Sequence, residues 1–187
     1  MTAYIFKQLQ SVTLDSADDT QKAILTRAKE QVGFLPNMYT NMVNVPAFLD
    51  TYLHGYGLFR EQSDLTSAEQ EVVFLAISQD NGCDYCTAAH SMLAAKYSGV
   101  PKDVLEAIRS GENITDTKLA AVFAMAKEVN SSRGRPDSEI VHAFLQAGYS
   151  EKHLLAITLA VSVKVLSNYS NHMFDPEVDA AFSDYKV

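Results

Sequence analysis

A chain of 187 residues is long enough to bury one substantial core. Its 23 acidic against 15 basic side chains (net charge −8) argue against a nucleic-acid partner or an anionic membrane surface. No run approaches the ~20 apolar residues of a membrane-spanning helix. MTAYIFKQLQ lacks the features of a secretion signal, so a cytoplasmic address is expected.

Residues 1–14 alternate without clear periodicity and are expected to form a short extended arm on a single helical domain spanning 1–187. Asp15 or Ser16 is expected to cap a helix through ADDTQKAILTRAKEQV, with Gly33 as its stop. After the connector Phe34-Leu35-Pro36-Asn37, helices are predicted from Asn37 to Val45 and from Ala47 to Glu61, split at Pro46. Met38, Met42 and the aromatic side chains of this region read as core or subunit contacts. His54, among Tyr52, Tyr56 and Phe59, reads as a packed or hydrogen-bonded histidine.

Thr66 with Glu69 forms a capping box that opens the next helix near Ser67. From Val72 to Ile77 that helix is apolar on every side, the mark of complete burial. Glu71 heads this run and needs a proton or a partner there. Asn81-Gly82 stops the helix. The two cysteines of the chain follow, Cys83 and Cys86, spaced C-x-x-C, with His90 four residues beyond. TAAHSMLAAKY continues as helix, so the C-x-x-C is predicted in its first turn. Positions 83, 86 and 90 then fall within about 60° on one face, with Tyr85 on the opposite side. A helix N-terminus favours thiolate. If the chain reverses at Asn81-Gly82, Glu71 approaches this face as a proton relay to His90. A carboxylate there would favour imidazolium, and imidazolium would favour the Cys86 thiolate.

Helices are expected again in PKDVLEAIRSG, in DTKLAAVFAMAKEVN opened by Thr115 or Asp116, and in SEIVHAFLQAG capped by Asp137 or Ser138. SSRGRPD is a surface loop by composition. Ser150 caps a long helix to about Ser167. Gly99-x-Pro101-x-x-x-Leu105-x-Ala107-Ile108 recurs as Gly148-x-Ser150-x-x-x-Leu154-x-Ala156-Ile157. The echo fits two ordinary helical hairpins or a duplicated helical unit. In the second case NYSNH falls where the first copy has its C-x-x-C. Lys164 lies in so apolar a helix that it must snorkel, pair or face a partner. Asn168, Asn171 and His172 read first as helix-end chemistry.

Glu71, Cys83, Cys86 and His90 at these spacings resemble the active-site motif of the AhpD-like alkylhydroperoxidases, in the carboxymuconolactone decarboxylase superfamily. GFLPN, YSGVP and NYSNH extend the resemblance to its peroxidase-related branch, over roughly residues 33–182. One departure is Tyr85, which stands where the AhpD motif has a histidine. The resemblance implies an all-α AhpD-like bundle and catalytic roles for Cys83, Cys86, His90 and Glu71. It places Asn168 and His172, with Tyr85, as second-tier site candidates. It also implies trimers or hexamers, no bound cofactor, and a dihydrolipoyl group or lipoyl domain as the dithiol reductant.

The expected function is a thiol-dependent peroxidase. One thiolate attacks the hydroperoxide and the other cysteine captures the sulfenic acid as a reversible disulfide. Cys86 is preferred as the attacking thiol because His90 lies one turn away. Cys83, nearer the exposed helix end, would resolve the intermediate, although spacing alone leaves the roles exchangeable. Two alternatives stand beside it. Cys83, Cys86 and His90 could hold zinc with Glu71 or His172 as fourth ligand. Or the scaffold is a non-peroxidase thiol-disulfide redox or sensing protein. A lactone decarboxylase has no need of the cysteine pair.

Overall fold

The computed structural model describes residues 5, 6 and 8–187; positions 1–4 and 7 of the predicted arm lie outside them. Every predicted helix forms, and local capping sets most of the boundaries. Helix α1 (Asp19–Val32) starts at Asp18, whose side chain accepts from Gln21 N–H while Gln21 reaches back. The expected cap at Asp15 or Ser16 is thus displaced by a capping box two or three residues further on. Helices α2 (Asn37–Met42) and α3 (Pro46–Gln62) follow, the latter with proline in its first turn, where no amide hydrogen is needed. The described part of the arm lies along this region. Val12 N–H bonds to Thr40 O and Ser11 Oγ to Asn41 Oδ1.

Helix α4 (Ser67–Asp80) is the axis of the molecule. Thr66 and Glu69 make the expected capping box, and Val72 to Ile77 are all fully buried. Glu69 also accepts from Lys118 Nζ and Tyr149 Oη, both at 2.9 Å, which pins the start of α4 to its neighbours. Around α4 pack α5 (Asp84–Lys96), α7 (Thr117–Ser131) and α9 (Glu151–Phe174). The shorter α6 (Lys102–Ser110) and α8 (Ser138–Gln146) complete the bundle, and a 3-10 turn, Ala180–Tyr185, closes onto α5. Among the described residues there is no strand, and no helix is long and apolar enough to cross a membrane.

Helix α9 runs seven residues past the expected end at Ser167. It stops at Asp175, which takes a left-handed conformation (φ 47°) immediately before Pro176. NYSNH therefore lies inside a continuous helix. The sequence echo falls on helices of 9 and 24 residues, and α9 has no break where the C-x-x-C has its turn.

Two apolar clusters fill the interior. One gathers α4, α6, α7, α8 and the first half of α9. The other gathers α1, α2, α3, the start of α5, Val163 and Phe182. The thiols belong to the second, and Phe74 of the first stacks on His90, so the candidate site sits at their junction.

Candidate active site

The turn between α4 and α5 creates the site. Gly82 adopts φ 66°, a left-handed backbone that favours glycine, and reverses the chain so that α5 returns along α4. Cys83 is the N-cap of α5, with extended backbone, and Cys86 lies in the first helical turn. Cys83 was expected at the exposed helix end. It is instead as buried as Cys86, because the far end of α9 packs over the helix start.

The reversal also delivers Glu71 to His90. Glu71 Oε2 lies 2.7 Å from His90 Nδ1, and its other oxygen pairs with Arg60. Arg60 reaches in from α3 beside the stacked rings of Tyr56 and Phe74, each centroid 4.8 Å from its guanidinium carbon. Burial opposes the charge on Glu71, but His90 and Arg60 outweigh it and hold the carboxyl below its ordinary value. Burial and the charge of Lys164 lower His90 despite the neighbouring carboxylate. The ring is therefore neutral at pH 7, donating from Nδ1 and leaving Nε2 as a base. This corrects the expectation of an imidazolium. Arg60 supplies the cationic partner that Glu71 required.

Both cysteines are free thiols. The hydrogen bond that Cys83 makes to Cys86, with burial, pushes the Cys83 thiol up. At Cys86 burial raises the pKa, yet the bond from Cys83 and the charge of Lys164 bring it well below the ordinary thiol value. Within the pair Cys86 is thus the more acidic thiol and Cys83 the one that keeps its proton. Asn171 Nδ2 donates toward both sulfurs, 3.3 Å from Cys86 and 3.8 Å from Cys83.

The two sulfurs border different hollows. Cys86, His90 and Lys164 line a cavity of about 670 Å³ whose remaining wall is largely apolar and aromatic, including Tyr39, Tyr52 and Phe182. Cys83 borders a separate depression of about 360 Å³ beside Asp84, Thr87 and Arg109.

The second-tier candidates separate. Tyr85 does not point away from the site. It lines the large cavity, and its hydroxyl donates to Asp179 and accepts from Met38 N–H, fastening the C-terminal segment to α2. Asn168 accepts from Asn81 Nδ2 at 2.9 Å, bracing the α4–α5 turn without reaching the thiols. His172 stacks on Tyr169 with Nε2 buried and unpartnered, and lines neither hollow. His54 is exposed on α3, not packed. The zinc alternative fails on placement: among the described residues no three His, Cys, Asp or Glu side chains are grouped to hold a metal ion. Glu71 is committed to Arg60 and His90, and Lys164 already supplies the local positive charge.

Sequence reasoning missed Arg60, Tyr56 and the three-phenol wall of Tyr39, Tyr52 and Tyr56. Tyr56 and Arg60 stand four residues apart, a spacing that places both on one helix face.

Residues 46–128 match the carboxymuconolactone decarboxylase family. The whole fold is shared with solved structures of similar length. An alkylhydroperoxidase AhpD-core protein from Ralstonia eutropha JMP134, described as an uncharacterized peroxidase-related protein, superposes with a TM-score of 0.78 at 19% identity, covering 92% of each chain. A second uncharacterized peroxidase-related protein, from Silicibacter sp. TM1040, gives 0.74 at 17% identity over 94% of this chain and 95% of its own. The debrominase Bmp8, in complex with 2,3,4-tribromopyrrole, gives 0.78 at 18% identity over 98% and 97%. No curated protein matches the sequence.

Proposed function

We propose that this protein is a thiol-dependent peroxidase of the carboxymuconolactone decarboxylase family that reduces organic hydroperoxides. The observation that carries this reading is the position of Cys86, a buried thiol of lowered pKa on the wall of a 670 Å³ apolar cavity with a second thiol hydrogen-bonded to it. The Cys86 thiolate attacks the outer peroxide oxygen, the O–O bond breaks, and the alcohol leaves. Cys86 is then a sulfenic acid. Cys83 condenses with it, forming the disulfide and releasing water. His90 Nε2 takes the Cys83 proton, and Glu71, fixed by Arg60, holds the imidazole in the tautomer that leaves Nε2 free. A dithiol restores both thiols by exchange, becoming a disulfide itself.

Stopped-flow mixing of the reduced protein with cumene hydroperoxide tests this. Both thiols should be consumed at a rate far above that of free cysteine. Cys86→Ser should abolish the reaction, while Cys83→Ser should stop at a sulfenic acid that dimedone traps. A wild-type rate equal to that of free cysteine would sink the proposal.

The cavity supports a second reading, reductive dehalogenation of an aromatic compound. At about 670 Å³ it lies in the usual range for small-molecule sites, ~300–1,000 Å³, far more than a small peroxide occupies. The same dithiol would convert an aryl bromide to the arene and hydrogen bromide while becoming the disulfide. Bromide release from a bromopyrrole, without hydroperoxide consumption, would select this reading.

A further inference from the structure

Along the buried face of α9, Ile157 and Ala160 are followed by Lys164, Asn168 and Asn171. The face turns polar where it passes the cysteines. Lys164 has 0% exposure, and no hydrogen-bond acceptor reaches its Nζ. Its nearest aromatic companion is Phe74, with the ring centroid 5.6 Å from Nζ. A buried ammonium group with no carboxylate beside it is costly. Such a cation persists where a negative charge is present or about to form.

The obvious partner is excluded. Both oxygens of Glu71 are occupied, one by Arg60 and one by His90. No acidic side chain among the described residues lines the cavity. Lys96, the other lysine on the lining, is exposed and lies 5.7 Å from the ring of Tyr185. The negative charge within reach of Lys164 is therefore the one at Cys86, and oxidation removes it. When the thiolate attacks, its charge passes through the breaking bond to the departing oxygen, in the same cavity. Tyr39, Tyr52 and Tyr56 are poor candidates to protonate that oxygen, since burial raises all three above the ordinary phenol range.

We propose that Lys164 is a catalytic residue that receives the departing charge: its ammonium group hydrogen-bonds to the leaving oxygen and gives it a proton. The step balances as Cys86–S⁻ with R–O–O–H and Lys164–NH₃⁺ giving Cys86–S–OH, R–OH and Lys164–NH₂. The S–O bond forms, the O–O bond breaks, and solvent water later returns the lysine proton. This inference rests on the thiol peroxidase reading for its substrate, and on the α9 geometry for the residue.

The test separates leaving-group assistance from mere support of the thiolate. Reduced wild type, Lys164→Met and Lys164→Gln are oxidised in single turnovers by tert-butyl hydroperoxide, which expels an alkoxide, and by peracetic acid, which expels acetate. The thiolate fraction of Cys86 is measured separately by iodoacetamide capture against pH. A proton donor matters for alkoxide and hardly for acetate. The ratio of the two rates should therefore fall in both variants by about a hundredfold after correction for thiolate, the low end of what a positioned acid contributes. Both variants should also melt at or above the wild-type temperature, because a buried charge has been removed. If both oxidants slow by one factor, equal to the loss of thiolate, Lys164 serves only the thiol and the inference is overturned. Unfolding of both variants would likewise overturn it, marking Lys164 as structural. Wild type reacting no faster than free cysteine with either oxidant sinks the peroxidase reading, and the ratio in the variants still decides the role of Lys164.

Discussion

Glu71 bonds Arg60 through one oxygen and His90 through the other, which makes two ionisations of the site depend on one carboxylate. Both Glu71 and His90 have folded-state pKa values below their ordinary 4.5 and 6.5. The unfolded chain therefore binds more protons at each position, and stability must rise with pH across both windows. The His90 contribution is complete above 6.5 and is lost as pH falls below that value toward the folded pKa. The Glu71 contribution begins to fail only below 4.5. Thermal melts in a pH series should show two successive losses, and His90→Asn should remove the upper one alone. A wild-type melting temperature that stays constant as pH falls through the upper window would contradict the neutral, buried imidazole. The need for a partner at Glu71 was legible in the sequence, because an acid heading a wholly apolar run cannot remain bare. Arg60 was not, because no local spacing links it to a residue in the next helix. Among Asn168, Asn171 and His172, the phase of α9 decides which side chain meets the thiols. With α9 continuous to Phe174, Asn171 turns toward the sulfurs while His172 rotates away.

Helix α4 carries no polar face over Val72 to Ile77, so its position depends on packing from every side. Phe74 is the residue that joins the two clusters. Its ring lies 4.8 Å from Phe59, 5.3 Å from Tyr56 and 4.7 Å from His90, and it is wholly buried. Phe74→Ala should cost about 3–5 kcal/mol in chemical denaturation, the range for a buried aromatic truncated in a core. It should also loosen Arg60, whose guanidinium stacks on the same ring, so thiol reactivity should drop along with stability. A loss below about 1 kcal/mol would mean that the site does not depend on this packing. Helix starts were the most legible elements, since caps such as Thr66 with Glu69 are local chemistry. The end of α9 was misread because Ser and Asn tolerate helix interiors once their side chains find buried partners. The true stop, Asp175 before Pro176, is also a sequence signal, eight residues beyond Ser167.

At the scale of the whole molecule, an all-α bundle was legible because each helix declares its own period and ends. The cavity was not. Its wall draws on α1, α2, α3, α5, α9 and the C-terminal turn, and such convergence depends on contacts between residues far apart in sequence. Tyr85 shows the same limit. It was assigned to the outer face of α5, yet Asp179, 94 positions later, gives its hydroxyl an acceptor and turns it into a fastening for the last segment of the chain.

Cys86 borders one hollow and Cys83 another, so a peroxidase cycle of the kind proposed would give its two half-reactions separate approaches. An enzyme whose oxidant and reductant share one opening follows ping-pong kinetics in which each substrate, in excess, inhibits the other by occupying the wrong form. Here an inert apolar alcohol filling the larger hollow should compete with the hydroperoxide while leaving the slope against dithiol concentration unchanged. High dithiol should likewise fail to inhibit. Mutual substrate inhibition in a two-substrate matrix would show that both partners crowd through a single door. Traffic divided in this way lets a hydrophobic oxidant remain bound while the disulfide beneath it is reduced from the other side.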